Sequence, residues 1–426
     1  MAVTGSAPSR RAGERVPPGG RIQLARYAAR AAAFLSRHLG GGSGNVIAGR
    51  VLQAAAPGAV SALAAGREVT LVSGTNGKTS ITALTVAALG DARPVATNQD
   101  GANTAAGVAG TLAAADAGRV VLEVDEGWLP WAVRETAPRV VTLANLSRDQ
   151  LSRHHEVGAL ATSWRAALAG VPLVVANADD PAVVWAALAA RRQVWVAAGG
   201  RWTADSLVCP ACGGRVHRSG SASAGGWGCD SCDLRHPAPD WWLEGDVLCS
   251  DTDRVRLQLD LPGRFNLANA ALAVATSRTA DGTDPEAAAV RLRDVHAVAG
   301  RYERVRLHGH DLRILLAKNP AGWLELLDLM APDTHPVVLL LNADGVDGRD
   351  PSWLYDVSFV PLRGRTVVVQ GRRATDLLVR LELDDVPARC VPGALAAALW
   401  ELPSGRVDVV GNYTAFRAAL KEVRLG

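Results

Sequence analysis

The chain alternates short apolar runs with longer segments of helical periodicity. Four runs rich in valine and leucine have the length of buried strands: residues 69–72, 119–126, 140–143 and 173–176. Because helical segments separate them, the pattern predicts a doubly wound α/β domain. A second series of apolar runs predicts a smaller α/β domain: residues 312–316, 336–341, 366–369 and 407–410.

The spacing of residues 21–39 predicts an N-terminal helix, with Leu24, Leu35 and Leu39 on one face and arginines on another. Residues 1–20 are rich in Gly, Pro and Arg, and we expect a disordered tail there. The first fifty residues contain eight arginines and one acidic residue, Glu14. Two interpretations of the arginine face stay open. It is either a solvated face on a packed helix or a contact with an anionic membrane surface or substrate.

The first predicted strand leads into a loop of small and polar residues: Gly74, Thr75, Asn76, Gly77, Lys78, Thr79 and Ser80. A predicted helix follows, and this order is typical of a phosphate-binding loop, whose backbone N–H groups and helix N-terminus face the phosphates. Lys78 would then reach the β- and γ-phosphates of ATP, and the Thr79 hydroxyl would bind Mg²⁺. Val72 replaces the first glycine of the longer Walker pattern, so an ordinary glycine-rich turn is the alternative.

Amino-acid usage favours the phosphate loop. The chain has 45 lysines and arginines, and the only lysines are Lys78, Lys318 and Lys421. A compact ammonium group at a phosphate is not replaced by a planar guanidinium. We therefore take Lys78 as a candidate catalytic and nucleotide-binding residue.

Acidic and polar residues follow the predicted strands, at the edge where a parallel sheet binds ligands. Glu123 and Glu126 end the second strand, and either could bind Mg²⁺ or merely be solvated in a loop. Glu123 is our candidate Mg²⁺ ligand and catalytic residue. His154 follows the third strand and is a further candidate for magnesium. Asn266 and Asn269 lie on one face at the start of a long helix, where they either bind the nucleotide base or cap the helix.

Four of the six cysteines have the spacing C-x₂-C-x₁₆-C-x₂-C: Cys209, Cys212, Cys229 and Cys232. Two C-x₂-C knuckles predict a tetrahedral zinc site, and four cysteine ligands leave no open position, so the zinc is expected to be structural. We predict a zinc ribbon over residues 201–239, inserted into the α/β domain. Cys249 and Cys390 lack such partners and are predicted to be buried thiols.

These features divide the chain into a tail over residues 1–20, an ATP-binding central domain over 21–300 and a C-terminal domain over 301–426. The net charge of +3 is too small to indicate nucleic-acid binding. No apolar run approaches the roughly 18 residues of a membrane span, and the first twenty residues lack the apolar core of a signal peptide. We expect a cytoplasmic protein.

The phosphate loop, the strand-end Glu123, the His154 segment, the helix start at Asn266 and the Gly300-Arg301 pair resemble landmarks of the Mur ligase superfamily, in the same order. This superfamily includes the folylpolyglutamate synthases. The resemblance implies a Mur ligase-like central P-loop ATPase domain followed by a smaller C-terminal domain. It also implies that ATP converts a carboxylate into an acyl phosphate, which an amine then attacks.

Three features resemble an amidating branch of this superfamily, the synthetase subunits of lipid II isoglutaminyl synthases. They are the four-cysteine ribbon, the segment starting Lys318-Asn319, and the acidic segment between Asp347 and Asp356. This resemblance covers nearly the whole chain after residue 20. It places Lys318 among the nucleotide-binding residues and implies peptidoglycan synthesis as the process.

The resemblance also implies a partner and a substrate. A GatD-type glutamine amidotransferase would supply ammonia, and the chain would amidate the α-carboxyl of D-glutamate in the lipid II stem peptide, which lies at the inner membrane face. Asp350 would complete the glutaminase triad across the subunit interface. Asp347 is the alternative, because alignment of this loop shifts by three residues, and a helix-capping role for Asp350 also stays open.

One departure from the superfamily concerns metal binding. Amino-acid-adding Mur ligases use a carbamylated lysine for a second metal, and no lysine occurs between Lys78 and Lys318. Either one metal suffices, or another group such as His154 or Glu123 replaces that lysine. Two other functions stay open: a stand-alone ligase that adds an amino acid, and a zinc-ribbon module for nucleic acid, which would leave the phosphate loop unexplained.

Overall fold

The computed structural model describes residues 19–39, 44–98, 101–148, 156–200, 202–219, 226–296, 302–331, 333–344 and 350–425. Within these ranges, eleven strands precede residue 260: β1 (Glu68–Ser73), β2 (Val95–Thr97), β3 (Arg119–Glu123), β4 (Val140–Leu143), β5 (Val174–Asn177), β6 (Gln193–Ala197), β7 (Val216–Ser219), β8 (Gly226–Cys229), β9 (Trp241–Glu244), β10 (Val247–Cys249) and β11 (Arg254–Arg256). The described α-helices before residue 300 are α1 (Gly20–His38), α2 (Asn45–Ala55), α3 (Ala59–Ala64), α4 (Lys78–Leu89), α5 (Ala105–Ala114), α6 (Leu129–Thr136), α7 (Val157–Leu168), α8 (Pro181–Ala187), α9 (Arg264–Asp281) and α10 (Pro285–Leu292).

Nine of these strands form one sheet in the order β11-β10-β9-β6-β5-β4-β1-β3-β2. The strands from β2 to β9 in this order pair in parallel, and β10 and β11 add an antiparallel edge. Alternate side chains of β1 enter two different cores. Val69 and Leu71 pack toward the layer of α1, α2 and α5, whereas Val72 packs toward α4 and α9. Helices therefore cover both faces, as the sequence predicted.

The C-terminal part forms a second sheet, and its described elements are β12 (Tyr302–Leu307), β13 (His310–Leu316), α11 (Pro320–Met330), β14 (Val337–Leu340), β15 (Val367–Gln370), α12 (Ala374–Leu383), β16 (Ala388–Cys390), α13 (Leu395–Trp400), β17 (Gly405–Gly411) and α14 (Tyr413–Leu425). The strand order is β12-β13-β17-β14-β15-β16, parallel except for β12. The predicted α/β pattern is therefore confirmed here too. Helices α11 and α12 cover one face, and α13 and α14 cover the other.

Some local predictions differ from the structure. The predicted strand over 119–126 ends at Glu123, because Asp125 accepts a hydrogen bond from the Gly127 N–H and starts a short 3₁₀ turn at Glu126. Cys249 is buried as predicted, but the prediction for Cys390 is wrong: it lies exposed at the end of the edge strand β16.

Helix α1 is present as predicted, but its leucines do not face the core. The buried positions are Ala25, Ala29, Ala33 and Ser36. Small side chains let α1 approach α2 and α5 closely, and the leucine face consequently points to solvent. The arginine face is also not simply solvated, since Arg26 and Arg30 bind the end of α5.

Candidate active site

The phosphate loop lies at the point of the sheet where strand order reverses. It connects β1 to α4, and β1 lies between β3 and β4. Parallel α/β sheets bind ligands at such points, beyond the carboxyl ends of the strands. Gly77 has a φ of 83°, and a Cβ there would lie 2.5 Å from Asn269 Oδ1. Glycine is therefore required at this position by both conformation and space.

Lys78 is the first residue of α4, and its ammonium group is buried against the loop that precedes it. Nζ donates hydrogen bonds to the carbonyl oxygens of Gly74 and Thr75, and it forms an ion pair of 2.7 Å with Glu126 Oε2. Only 4% of the Lys78 side chain and 2% of the Glu126 side chain are exposed. The sequence prediction brought Lys78 to this loop but missed Glu126 as its partner.

Burial and charge oppose each other in this pair. Burial lowers the pKa of Lys78, but the carboxylates of Glu126, Asp125 and Glu123 outweigh it and raise that pKa above its ordinary value. Burial would likewise raise the pKa of Glu126, yet the ammonium groups of Lys78 and Lys318 lower it to about 2. Both groups are therefore charged at neutral pH, although water is largely excluded.

Glu123 lies behind the loop, in register with Val72 of β1. Its Oε1 accepts a hydrogen bond of 2.9 Å from Asn103 Nδ2, and the Asn98 side chain binds its backbone N–H and C=O. This network fixes the Glu123 carboxylate near the Lys78 ammonium. The Glu123 carboxylate at the end of β3 and the Thr79 hydroxyl at the start of α4 are oxygen donors of the kind that Mg²⁺ accepts. Their chemistry therefore fits the predicted ligand set.

The segment after β4 holds the loop from the other side. The Asn145 Oδ1 accepts from the Asn76 N–H at 3.0 Å, and its Nδ2 donates to the Asn76 carbonyl at 3.1 Å. Thr75 Oγ1 accepts from the Ser147 N–H at 3.0 Å. Asp180 Oδ2 in turn accepts from the Leu146 N–H. These bonds fix the position of the loop.

A cleft of about 230 Å³ opens in front of the loop, between the two sheets. Asn266 and Asn269 line it and are buried at the start of α9, as predicted. Asn266 donates to the Pro262 carbonyl at 2.7 Å and accepts from Asn269 Nδ2 at 3.3 Å. The pair is thus preorganised beside Gly77, and its contact with the nucleotide stays a prediction.

The second sheet closes this cleft. Lys318 lines it, and Asn319 Nδ2 donates to Asn76 Oδ1 in the phosphate loop at 3.1 Å. Asn319 Oδ1 also accepts from the Gly322 N–H and caps α11. A second link joins Arg148 to Asp356 at 3.3 Å. Residues far apart in sequence therefore form one site.

The four predicted ligand cysteines lie together. All their sulfur atoms are within 4.8 Å of one another, with 3.7 Å between Cys209 and Cys232 and 3.5 Å between Cys212 and Cys229. A zinc tetrahedron with Zn–S bonds of roughly 2.3 Å has sulfur–sulfur edges of roughly 3.8 Å, so the cluster fits this ion. The β7–β8 hairpin carries Cys229 at its end.

The ribbon packs against the cleft, which the sequence did not predict. Trp227 Nε1 donates to the Ala178 carbonyl at 2.9 Å, and His236 Nε2 lies 3.3 Å from Asp179 Oδ1. Arg218 of β7 and Trp202 line the cleft itself. The clustering of tryptophans around the cysteine motif was the available signal for this packing.

Asp350 lies exposed ahead of a 3₁₀ turn, and its Oδ1 accepts from the Ser352 N–H at 2.8 Å. The hydrogen bonds from Ser352 lower the pKa of Asp350. Asp344 pairs with Arg372. Asp350 therefore caps this turn and also presents a carboxylate to solvent. His154 and Asp347 lie outside the described residues.

Two family profiles match the chain. The Mur ligase middle domain matches residues 72–277, and the MurT ligase C-terminal domain matches residues 316–416. Together they cover both sheets. The chain is therefore similar to Mur ligases over the first sheet and to MurT ligases over the second. It is accordingly a ligase, and the resemblance stated from the sequence is confirmed.

Curated relatives of this chain agree with the profiles. It is 28% identical over 394 residues to the lipid II isoglutaminyl synthase (glutamine-hydrolyzing) subunit MurT of Streptococcus pneumoniae, covering 86% of this chain and 87% of the relative. It is 26% identical over 388 residues to the subunit of the same name from Staphylococcus aureus, covering 84% and 87%.

Solved structures show the same fold at lower sequence identity. A pseudomurein peptide ligase type C from Methanothermus fervidus has a TM-score of 0.65 at 16% identity and covers 84% of this chain and 78% of its own. The folylpolyglutamate synthase of Mycobacterium tuberculosis complexed with ADP and AMPPCP has a TM-score of 0.60 at 17% identity, covering 93% and 99%. The Mur ligase-like fold predicted from the sequence is therefore confirmed.

Proposed function

We propose that this chain is the ATP-dependent synthetase subunit of a lipid II isoglutaminyl synthase. It transfers the γ-phosphoryl group of ATP to the α-carboxylate of D-glutamate in the lipid II stem peptide. Ammonia then attacks the acyl phosphate, inorganic phosphate leaves, and the carboxyl group becomes an amide. The substrate and the product in this proposal are taken from the names of the curated relatives.

The observation that carries the ligase chemistry is the buried cation at the phosphate loop. Lys78 is held charged between loop carbonyls and Glu126, at the bottom of a cleft that a second domain closes through Lys318 and Asn319. Negative charge that spreads over a transferring phosphoryl group is stabilised by such preorganised cations. The asparagine pair on α9 would hold the nucleoside of ATP beside it.

Thr79 and Glu123 would hold Mg²⁺, and His154 is a further candidate ligand. Mg²⁺ held by these residues would supply positive charge that offsets the negative charge of the phosphates. Asn103 orients the Glu123 carboxylate for this role. The chain would use no carbamylated lysine, because no lysine lies between Lys78 and Lys318.

The ribbon cysteines would hold a structural zinc ion, since four thiolates leave no coordination position for water. Metal binding energy would then stabilise the ribbon, which has few apolar contacts of its own.

A GatD-type glutaminase would be the source of ammonia. Asp350 is exposed and its carboxylate is oriented by Ser352, so it is available to orient a histidine of that partner, which would activate the partner's nucleophilic cysteine. Asp347 is the alternative for this role. The working complex would be cytoplasmic and would act on lipid II at the membrane surface.

The experiment is amidation of lipid II by the chain co-purified with its glutaminase, with mass spectrometry of the stem peptide. With glutamine and ATP, the wild type should form the amide. Asp350→Asn should lose at least about 90% of glutamine-dependent amidation and regain it with free ammonia, as expected when one triad member loses its charge. Asp344→Asn is the matched control. Asp344 forms an ion pair with Arg372, and its substitution should leave glutamine-dependent amidation nearly unchanged.

The outcomes separate the alternatives. Amide formation only when an amino acid replaces ammonia would identify a stand-alone ligase and contradict the proposal. Normal amidation by Asp350→Asn would leave Asp350 as a cap of the 3₁₀ turn. Failure of ammonia to rescue it would assign Asp350 to the ligase chemistry or to the fold.

A further inference from the structure

The outer face of α1 is apolar. Large hydrophobic side chains that are between 54% and 86% exposed follow one another along this helix and its first flanking residue: Leu24, Tyr27, Phe34, Leu35 and Leu39. At about 100° per residue these positions fall on one side of the helix, opposite the buried Ala25, Ala29 and Ala33. A surface helix of a globular protein ordinarily places polar residues there.

This face is part of a concentrated patch. Of the seventeen exposed large hydrophobic side chains in the described part of the chain, seven lie between Leu24 and Ile47. The others are distributed over ten positions between residues 128 and 400. Exposed apolar side chains that cluster in this way mark a surface that contacts another apolar phase or molecule.

The helix is fixed to the domain in this orientation. Arg26 Nε and Arg30 Nε both donate to the Ala113 carbonyl at 2.9 Å, at the end of α5. Both guanidinium groups also pair with Asp116, and their hydrogen bonds lower its pKa to about 2. Rotation of α1 to bury its leucines would break all of these contacts.

The surroundings of the patch are positively charged. No acidic residue occurs between Glu14 and Glu68, whereas Arg21, Arg37 and Arg50 are exposed on α1 and α2. Asp116, which lies under α1, is already paired with two arginines. An apolar face flanked by arginines is complementary to an anionic lipid surface, where side chains enter the headgroup region and guanidinium groups bind phosphates.

We infer that α1 is an in-plane membrane-docking helix, which binds the chain to the surface of an anionic bilayer. Among the described helices, none is both long enough and apolar enough to cross a membrane, so the contact would be peripheral. The inference deepens the proposed function, because a substrate carried by a lipid is found at this surface. A soluble nucleotide-linked substrate would give the chain no use for such a helix.

The test is flotation of the full-length chain with lipid vesicles. Vesicles containing phosphatidylglycerol should retain the wild type, and vesicles of phosphatidylcholine alone should retain much less. Binding should weaken as salt increases. The double variant Leu24→Glu with Leu35→Glu should lower vesicle affinity at least about tenfold, since both side chains would carry charge into the acyl boundary.

The matched control is Leu188→Glu with Val290→Glu, which adds the same charge at two exposed apolar positions, the first directly after α8 and the second on α10. It should bind vesicles much as the wild type does. Arg21→Glu with Arg50→Glu should remove the preference for phosphatidylglycerol. The circular dichroism spectrum should be unchanged in all three double variants, because every substituted side chain is exposed.

Equal loss of binding in the variant and the control would overturn the inference, as would retention of binding by Leu24→Glu with Leu35→Glu. A wild-type dimer that only this variant dissociates would also overturn it, because a second copy would then cover the face. Amidation separates this inference from the proposed function: vesicle binding without amidation of lipid II supports α1 docking and contradicts the ligase proposal.

Discussion

The phosphate loop and the cysteine ribbon are both built from small and polar residues, but they are stabilised differently. The loop is bounded by the parallel strands β1, β3 and β4, and its lysine forms a buried ion pair. The ribbon has a core of only a few apolar side chains and a two-stranded hairpin, with Cys212 exposed. The loop is therefore preorganised by the fold, whereas the ribbon is expected to depend on a metal ion.

Loss of the metal site should have the largest effect. Cys209→Ser should lower zinc from one ion per chain to near zero, since structural zinc sites contribute on the order of 10 kcal/mol. Hydrogen exchange should then lose protection over β7 and β8 while β1, β3 and β4 stay protected. Cys249→Ser, buried but outside the cluster, should keep its zinc. Zinc well below one ion per chain in fresh wild-type protein would contradict the site.

Breaking the buried ion pair should come next. Glu126→Gln should lower the free energy of unfolding by about 3 kcal/mol, because it leaves the Lys78 ammonium without its partner. Chemical denaturation would measure this change. The exposed pair of Arg93 with Glu68 provides the control, and Glu68→Gln should cost less than about 1 kcal/mol. Equal losses of unfolding free energy in Glu126→Gln and Glu68→Gln would contradict a difference between the buried and the exposed pair.

The same pair predicts an acid dependence. The pKa of Glu126 is about 2 in the folded chain, below its ordinary value of 4.5. A carboxylate with a lowered pKa stabilises the fold fully above its unfolded value, and this contribution disappears as the pH falls from about 4.5 toward 2. Wild type and Glu126→Gln should therefore converge in stability over this range. A constant difference down to pH 2 would contradict the pairing.

Removal of the lysine should affect catalysis beyond its effect on stability. Lys78→Ala should retain less than about a tenth of ATP turnover, since one contact with the transferring phosphoryl group is lost. It also leaves Glu126 unpaired, so Lys78→Met with Glu126→Gln is the sharper variant. This double variant should recover the free energy of unfolding that Lys78→Ala loses, and it should stay inactive. Turnover above a tenth of the wild-type rate would contradict the phosphate-loop assignment.

The smallest effect concerns the contact between the ribbon and the segment that follows β5. Trp227→Phe removes the donor to the Ala178 carbonyl and should cost about 1 kcal/mol. Hydrogen exchange over β8 should then rise about fivefold, with zinc content unchanged. Trp185→Phe serves as the control, because Trp185 packs partly against the same core. A similar rise in that control would assign the effect to packing instead of to the hydrogen bond.

Sequence patterns predicted those parts of the site whose geometry is local. Gly77-Lys78 after a β-branched run, and two C-x₂-C knuckles, define hydrogen bonds and ligand positions within a few residues. The starts of β1 and β4 were accordingly predicted within one residue. The outward face of α1 was misjudged, because small alanines compete with leucines for the core when helices pack closely.

The sequence by itself determined the fold class, the phosphate loop and the cysteine cluster, because hydrophobic period, glycine conformation and ligand spacing are encoded by neighbouring residues. Only the tertiary structure decided that Glu126 pairs with Lys78, that Asn319 reaches Asn76, and that the ribbon packs against the cleft. The first two contacts join residues that are 48 and 243 positions apart in the sequence. They depend on which strands lie side by side, and the order β4-β1-β3 follows from how the whole chain buries its apolar faces.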